Sequence, residues 1–238
     1  MFKTFKWAAP LVAATSVLVS SAANAAIWSS SDKFGSYSSG SYSWNNDVWG
    51  SGAGPQTIWV NSTSSWGTWS QQPNTGGIKS YPHININANK NIDSMNTLTS
   101  SWNQTTPSFG SWDAAYDVWD SNHSHEIMIW TNWMGNINPI SYNWNSSGQP
   151  VPRNSNVCVG GSCWNVYLGS NGANQVLSFL RTSKTNSGSV DIKALLKWAK
   201  SQGIFGNLYI GSVQYGVEIT STNNTGTNFG FTNYFTWN

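Results

Sequence analysis

The sequence predicts an all-β protein, a sandwich or jelly roll with a single helix. Short stretches rich in Val, Ile, Thr, Tyr, Phe and Trp alternate apolar with polar residues, and clusters of Gly, Asn, Ser and Pro separate them. Only one segment has helical spacing. No internal repeat or linker divides the chain, so residues 26–238 read as one domain.

The first 25 residues read as a secretory signal outside that domain. Lys3 and Lys6 precede an apolar run from Trp7 to Val19, and Ala23-Asn24-Ala25 forms a small-x-small cleavage site. The apolar run is too short to span a bilayer. This reading implies a secreted, extracellular protein.

Beyond it, Tyr37 to Trp49 predicts one or two strands broken by Gly40 and closed by Gly50. Gly54 to Val60 alternates as a strand, Gln71 to Gly77 is a loop, and Ile78 to Ala88 is strand-like, with Pro82 pointing to an edge or bulge. Further strands are expected at Met95 to Trp102, Trp112 to Trp119, Trp164 to Leu168 and Phe229 to Trp237. The helix spans Ser189 to Gly203, with Ser189 as N-cap, Asp191 in the first turn, Ile192, Leu195, Leu196 and Ala199 as the apolar stripe, and Gly203 as terminator.

Two further strands carry the chemistry. Only two glutamates occur in 238 residues, Glu126 and Glu218, and each lies in a β-rich stretch. From His125 to Trp133, alternation puts Glu126, Met128, Trp130 and Asn132 on one face and Ile127, Ile129 and Thr131 on the other. From Ser212 to Thr220, Glu218 shares a face with Gln214 and Gly216, opposite Val213, Tyr215, Val217 and Ile219. The aliphatic faces are core faces. Both carboxyl groups therefore project from the other side, among aromatic and amide groups that suit a sugar.

Composition narrows the partner. Without Lys3 and Lys6, basic and acidic residues balance. A nucleic acid or an anionic membrane would need a basic patch, and none is visible. Of the sixteen tryptophans only Trp7 lies in the leader, which leaves more indole than a core of this size needs. Exposed indoles stack on the C–H faces of pyranose rings. Cys158 and Cys163 in "CVGGSC" are read as a local disulfide, in keeping with secretion.

Two carboxyl groups flanking a bond are what glycoside hydrolysis requires, one to protonate the leaving oxygen and one to attack or to activate water. No nucleophile-elbow motif surrounds a serine, and His123 and His125 lack a third partner for a metal site, so no metal or cofactor is expected. The rival readings are a non-catalytic lectin-like sandwich, or a structural or adhesion protein.

The ordered set "NNDVWG" (Asn45 to Gly50), "SYPHI" (Ser80 to Ile84), "AYDVW" (Ala115 to Trp119), "EIMIW" (Glu126 to Trp130) and "QYGVEITST" (Gln214 to Thr222) resembles glycoside hydrolase family 12, small secreted β-1,4-glucanases and xyloglucanases. The resemblance implies a β-jelly roll of two antiparallel sheets, one curved into an open substrate cleft, and net retention at the anomeric carbon. It further implies Glu126 as nucleophile, Glu218 as general acid/base and Asp117 hydrogen-bonded to the nucleophile. Trp49, Asn46, Met128 and Trp130 would contact sugar. The segment between Asp117 and Glu126 is short, which reduces any cleft-wall loop there. The implied partner is a β-glucan, whether cellulose-type, mixed-linkage or xyloglucan, cut by a monomer.

Overall fold

The computed structural model describes residues 26–238, and the signal-peptide reading lies outside them. In chain order the elements are β1 (Trp28–Ser30), β2 (Ser36–Ser39), β3 (Tyr42–Asn45), β4 (Gln56–Val60), β5 (Ser65–Ser70), β6 (His83–Asn91), β7 (Leu98–Thr105) and β8 (Ser111–Asp120). There follow β9 (His125–Met134), β10 (Asn154–Val159), β11 (Ser162–Ser170), β12 (Gln175–Arg181), β13 (Ser187–Asp191), α1 (Ile192–Ser201), β14 (Tyr209–Ser221) and β15 (Thr227–Trp237).

They form two sheets, a six-stranded one ordered β1-β4-β5-β15-β7-β13 and a nine-stranded one ordered β10-β11-β12-β9-β8-β14-β6-β3-β2. Neighbours are antiparallel except β12 and β9, which pair in parallel. β5 and β12 escape the sequence reading: "SWGTWS" is mostly small and polar, and "QVLSFLR" has the near-continuous apolar run of a strand covered on both faces. Pro82 marks neither an edge nor a bulge. It sits just before β6, which lies inside the sheet between β14 and β3.

The main core fills the space between the sheets. Ile58, Trp66, Phe229 and Phe231 come from the six-stranded sheet; Ile84, Tyr116, Ile129, Tyr215 and Val217 come from the nine-stranded one. Burying these side chains contributes roughly 1.5–3 kcal/mol each before entropy is counted. A small polar network threads this layer. The Tyr116 hydroxyl donates to Ser100 Oγ at 2.9 Å, and Tyr215 bonds Gln104 and Thr131. A second, smaller cluster of Ala115, Met128, Trp130, Val176 and Leu180 lies on the open face of the large sheet.

The helix is capped by Asp191, whose carboxylate accepts from Ala194 N at 3.0 Å, rather than by Ser189. Ser189 cannot take that role because it pairs with Ser101 as part of β13. Ile192, Leu195, Leu196 and Ala199 are buried as the apolar stripe requires, and Trp198 packs edge-on against Phe179 of β12.

The disulfide joins Cys158 and Cys163, directly opposed across the β10–β11 hairpin. Gly160 and Gly161 both take positive φ, which a tight two-residue hairpin turn demands. The bond closes a loop the turn already holds. Replacing both cysteines with serine is therefore expected to lower the unfolding free energy by about 2 kcal/mol in urea titrations and to leave the fold intact at room temperature. Loss of the folded state would show that the hairpin depends on the bond.

Candidate active site

The site lies on the open face of the large sheet, where β9, β8 and β14 run side by side. Alternation places Glu126, Met128 and Trp130 there from β9, Asp113, Asp117 and Trp119 from β8, and Gln214 and Glu218 from β14. Val213, Tyr215, Val217 and Ile219 point into the core, fully buried. Gly216 has a steric reason: a Cβ there would overlap the Pro82 carbonyl. That close approach brings the Tyr81–His83 segment against the site.

One expectation fails at a β-bulge. Ala114 pairs with Asn132 and Ala115 with Trp130, so Thr131 is the extra residue. Its hydroxyl donates to Ala114 O at 2.9 Å on the core side. The slip moves Asn132 off the open face, where its amide donates to Asn186 at 2.6 Å, and Trp133 takes that place, packed against Trp130 at 6.1 Å.

Glu126 is half-buried and accepts from Asn174 Nδ2 at 2.9 Å and Asn171 Nδ2 at 3.4 Å. Burial raises its pKa, and the Asn174 hydrogen bond pulls it back. Glu218 is pushed up to about 7, first by burial and then by the charge of Glu126, with a hydrogen bond from Asp113 working the other way. Asp117 is buried and held well above the usual carboxylate range by burial and by the charges of Glu126 and Glu218. Its recorded hydrogen bond is from Trp119 Nε1 at 2.9 Å, not to Glu126 as the resemblance implied, and its Oδ1 is buried without a partner. Tyr81 donates to Ala115 O at 3.0 Å, and burial first, then the neighbouring carboxyl groups of Asp117, Asp113 and Glu218, raise its phenol. Near neutral pH, then, Glu126 is the readier of the two glutamates to ionise and Glu218 the readier to hold a proton.

Glu126, Glu218 and Asp117 line one cavity of about 570 Å³ together with Trp49, Met128 and Trp130. Trp49 is 48% exposed and presents its ring, whereas Trp130 is only 3% exposed and packs in the open-face cluster. A neighbouring groove of about 480 Å³ shares Asp47, His123 and Gln214 with the first, so the two form one continuous trough. His123 sits with positive φ in the short β8–β9 turn, which therefore walls both parts.

In the second groove, burial lowers His83 to about 4 and raises Asp47 to about 6, so their 3.9 Å contact is not an ion pair at neutral pH. His83 Nδ1 lies 2.7 Å from the Tyr81 carbonyl and must donate to it. Nε2 is thereby left to accept from Asn45 at 3.2 Å. Asn45, not Asn46, faces the groove. Asn46 is fully buried, its amide donating to Asp32 O at 2.8 Å and its Oδ1 accepting from Gln56 at 3.0 Å, because adjacent residues leave a strand on opposite faces.

Sequence reasoning missed Asn174 and Asn171, which sit in the turn before β12, and Asp113, which only strand register brings opposite Glu218. One ionised and one protonated carboxyl group in an open, aromatic-walled trough is the equipment for acid-assisted cleavage of an acetal.

Known proteins share this fold. The sequence model of Glycosyl hydrolase family 12 matches residues 40–237. The chain is 33% identical over 210 residues to the "Probable xyloglucan-specific endo-beta-1,4-glucanase A" of Aspergillus fumigatus, covering 81% of this chain and 85% of that protein. Among solved structures it is similar to the xyloglucanase domain of NopAA, a type three effector from Sinorhizobium fredii, in complex with cellobiose. That domain is 55% identical with a TM-score of 0.86, over 89% of this chain and 99% of that one. The native family 12 xyloglucanase from Bacillus licheniformis is 25% identical with a TM-score of 0.74, over 89% and 100% of the two chains. With a family model spanning most of its length and a jelly roll whose open face carries the two glutamates, the chain belongs to glycosyl hydrolase family 12.

Proposed function

We propose that this enzyme cuts internal β-1,4 bonds of a glucan by double displacement with net retention. Glu126 is the nucleophile and Glu218 the general acid/base. The observation that carries the assignment is that the two glutamates face one trough in different surroundings, Glu126 with two amide donors and Glu218 pushed up to about 7 by burial and then by the charge of Glu126. In the first step a Glu126 oxygen bonds to the anomeric carbon as the glycosidic C–O bond breaks, and Glu218 passes its proton to the leaving oxygen. Glycosylation neutralises Glu126. The repulsion that raised Glu218 then disappears, so it ionises and takes a proton from the water that releases the sugar. Asn174 and Asn171 donate to Glu126, and the Asn174 hydrogen bond favours its ionised form against the burial that raises it. Asp117, neutral beside it, supports it without adding a second charge.

A trough of two joined parts suits attack within a chain rather than at its tip, and its aromatic and amide lining suits a sugar polymer. Xyloglucan is the favoured substrate, supported by the likeness to the 55%-identical xyloglucanase domain, and the cellobiose bound to that domain supports a β-1,4-glucan backbone. We further propose a single catalytic domain over 26–238 acting as a monomer. Its placement is extracellular, supported by the leader-like first 25 residues and the disulfide. A lectin would have no use for two glutamates tuned apart.

Two experiments test this. Glu126→Ala is expected to be almost inactive, and azide with an activated β-glycoside should give the α-glycosyl azide. Glu218→Ala should keep more activity on the activated substrate, and azide there should give the β-product. Proton NMR of the first-formed sugar should show the β-anomer; an initial α-anomer would replace retention with inversion.

The aromatic residues separate by burial. Trp49→Ala is expected to raise KM on polymer roughly tenfold, by loss of about 1–2 kcal/mol of ring stacking, with an unchanged melting temperature. Trp130→Ala should instead cost about 3–5 kcal/mol of stability. Wild-type KM in Trp49→Ala would remove that indole from sugar binding.

A further inference from the structure

Asp113 is a buried carboxyl group beside Glu218 to which the mechanism so far gives no task. It is 3% exposed, and the strand register sets it directly opposite Glu218 on one side and Trp133 on the other. A hydrogen bond joins the Asp113 and Glu218 side chains, while Asp113 Oδ1 is buried without a partner. Two bare carboxylates can neither donate to one another nor sit together out of water, so at least one proton is held between them.

We propose that Asp113 is a positioning residue for Glu218: a carboxylic acid kept neutral beneath the trough, donating its hydrogen bond to the Glu218 carboxyl group. This rests on Glu218 being the acid/base. The proton belongs to Asp113 because it is the deeper of the two, walled by Trp133, whereas Glu218 lines the trough. The titratable groups facing the pair are Glu126 on β9, the neutral Asp117 on β8 and Tyr81 ahead of β6, and the charge of Glu126 further disfavours an ionised Asp113. When Glu218 gives its proton to the leaving oxygen, the Asp113 hydroxyl steadies the new carboxylate. The same bond then fixes the direction from which Glu218 takes a proton from water, and Asp113 keeps its own proton throughout.

The test compares Asp113→Asn, which keeps a neutral donor of the same shape, with Asp113→Leu, which removes the donor. Asp113→Asn is expected to hold kcat/KM within about threefold and leave the alkaline limb of its pH profile in place. Asp113→Leu should move that limb up by about one pH unit and slow hydrolysis of an activated aryl β-glycoside about tenfold. A limb that shifts equally in both variants, or shifts downward in Asp113→Asn, would overturn the proposal. Infrared spectroscopy gives a readout that does not need the leucine variant to fold. Above the alkaline limb the wild type should retain the carbonyl stretches of two buried carboxylic acids, Asp113 and Asp117, one of which is lost in Asp113→Asn; an unchanged pair of bands would also overturn it. Glu218→Gln separates the two readings. It should abolish the alkaline limb, and a limb that survives there would defeat the acid/base assignment while the infrared band still reports on Asp113.

Discussion

Four carboxyl groups crowd one face of three adjacent strands, and they cannot all be ionised. The site is one solution to that constraint. Glu126 receives two amide donors, Glu218 receives the neighbouring Asp113, and Asp117 receives an indole N–H. The differences in partner and depth rank the groups, so that one gives up its proton easily and the others hold theirs. Apolar packing by Met128, Trp130 and Ala115 keeps water from levelling the ranking.

That ranking works against folding stability. A carboxyl group whose folded pKa is raised contributes its full stability only below its unfolded value and loses it as pH climbs through the folded one. For Glu218 that loss runs from the ordinary carboxylate range up to about 7. The core between the sheets must offset it, and the fully buried Tyr215, Val217 and Ile219 lie on the core face of the same strand that carries Glu218.

The sequence made the glutamates legible through scarcity and strand alternation, because period-two patterning reports which face a side chain leaves from. It could not report register. Asn45 and Asn46 are chemically identical neighbours, and only the exact end of β3 decides which meets the groove. The bulge at Thr131 leaves no compositional trace, yet it exchanges Asn132 for Trp133. Asn174 reads as loop polarity until the parallel β9–β12 pairing sets Val176 opposite Glu126. Asp113 belongs to a stretch already read as a strand, but its role exists only through the partner 105 positions later.

β14 is late in the chain and central in the sheet, between β8 and β6. Until residues 209–221 insert, the large sheet exists as two separate halves, β10-β11-β12-β9-β8 and β6-β3-β2, each with an unsatisfied edge facing the gap. A chain emerging N-terminus first therefore holds its Glu126 strand long before its Glu218 strand, and closing the gap means threading a long-range contact between two waiting edges. Those edges are where nascent chains would pair with each other instead, so catalytic competence and protection from aggregation arrive in the same folding step.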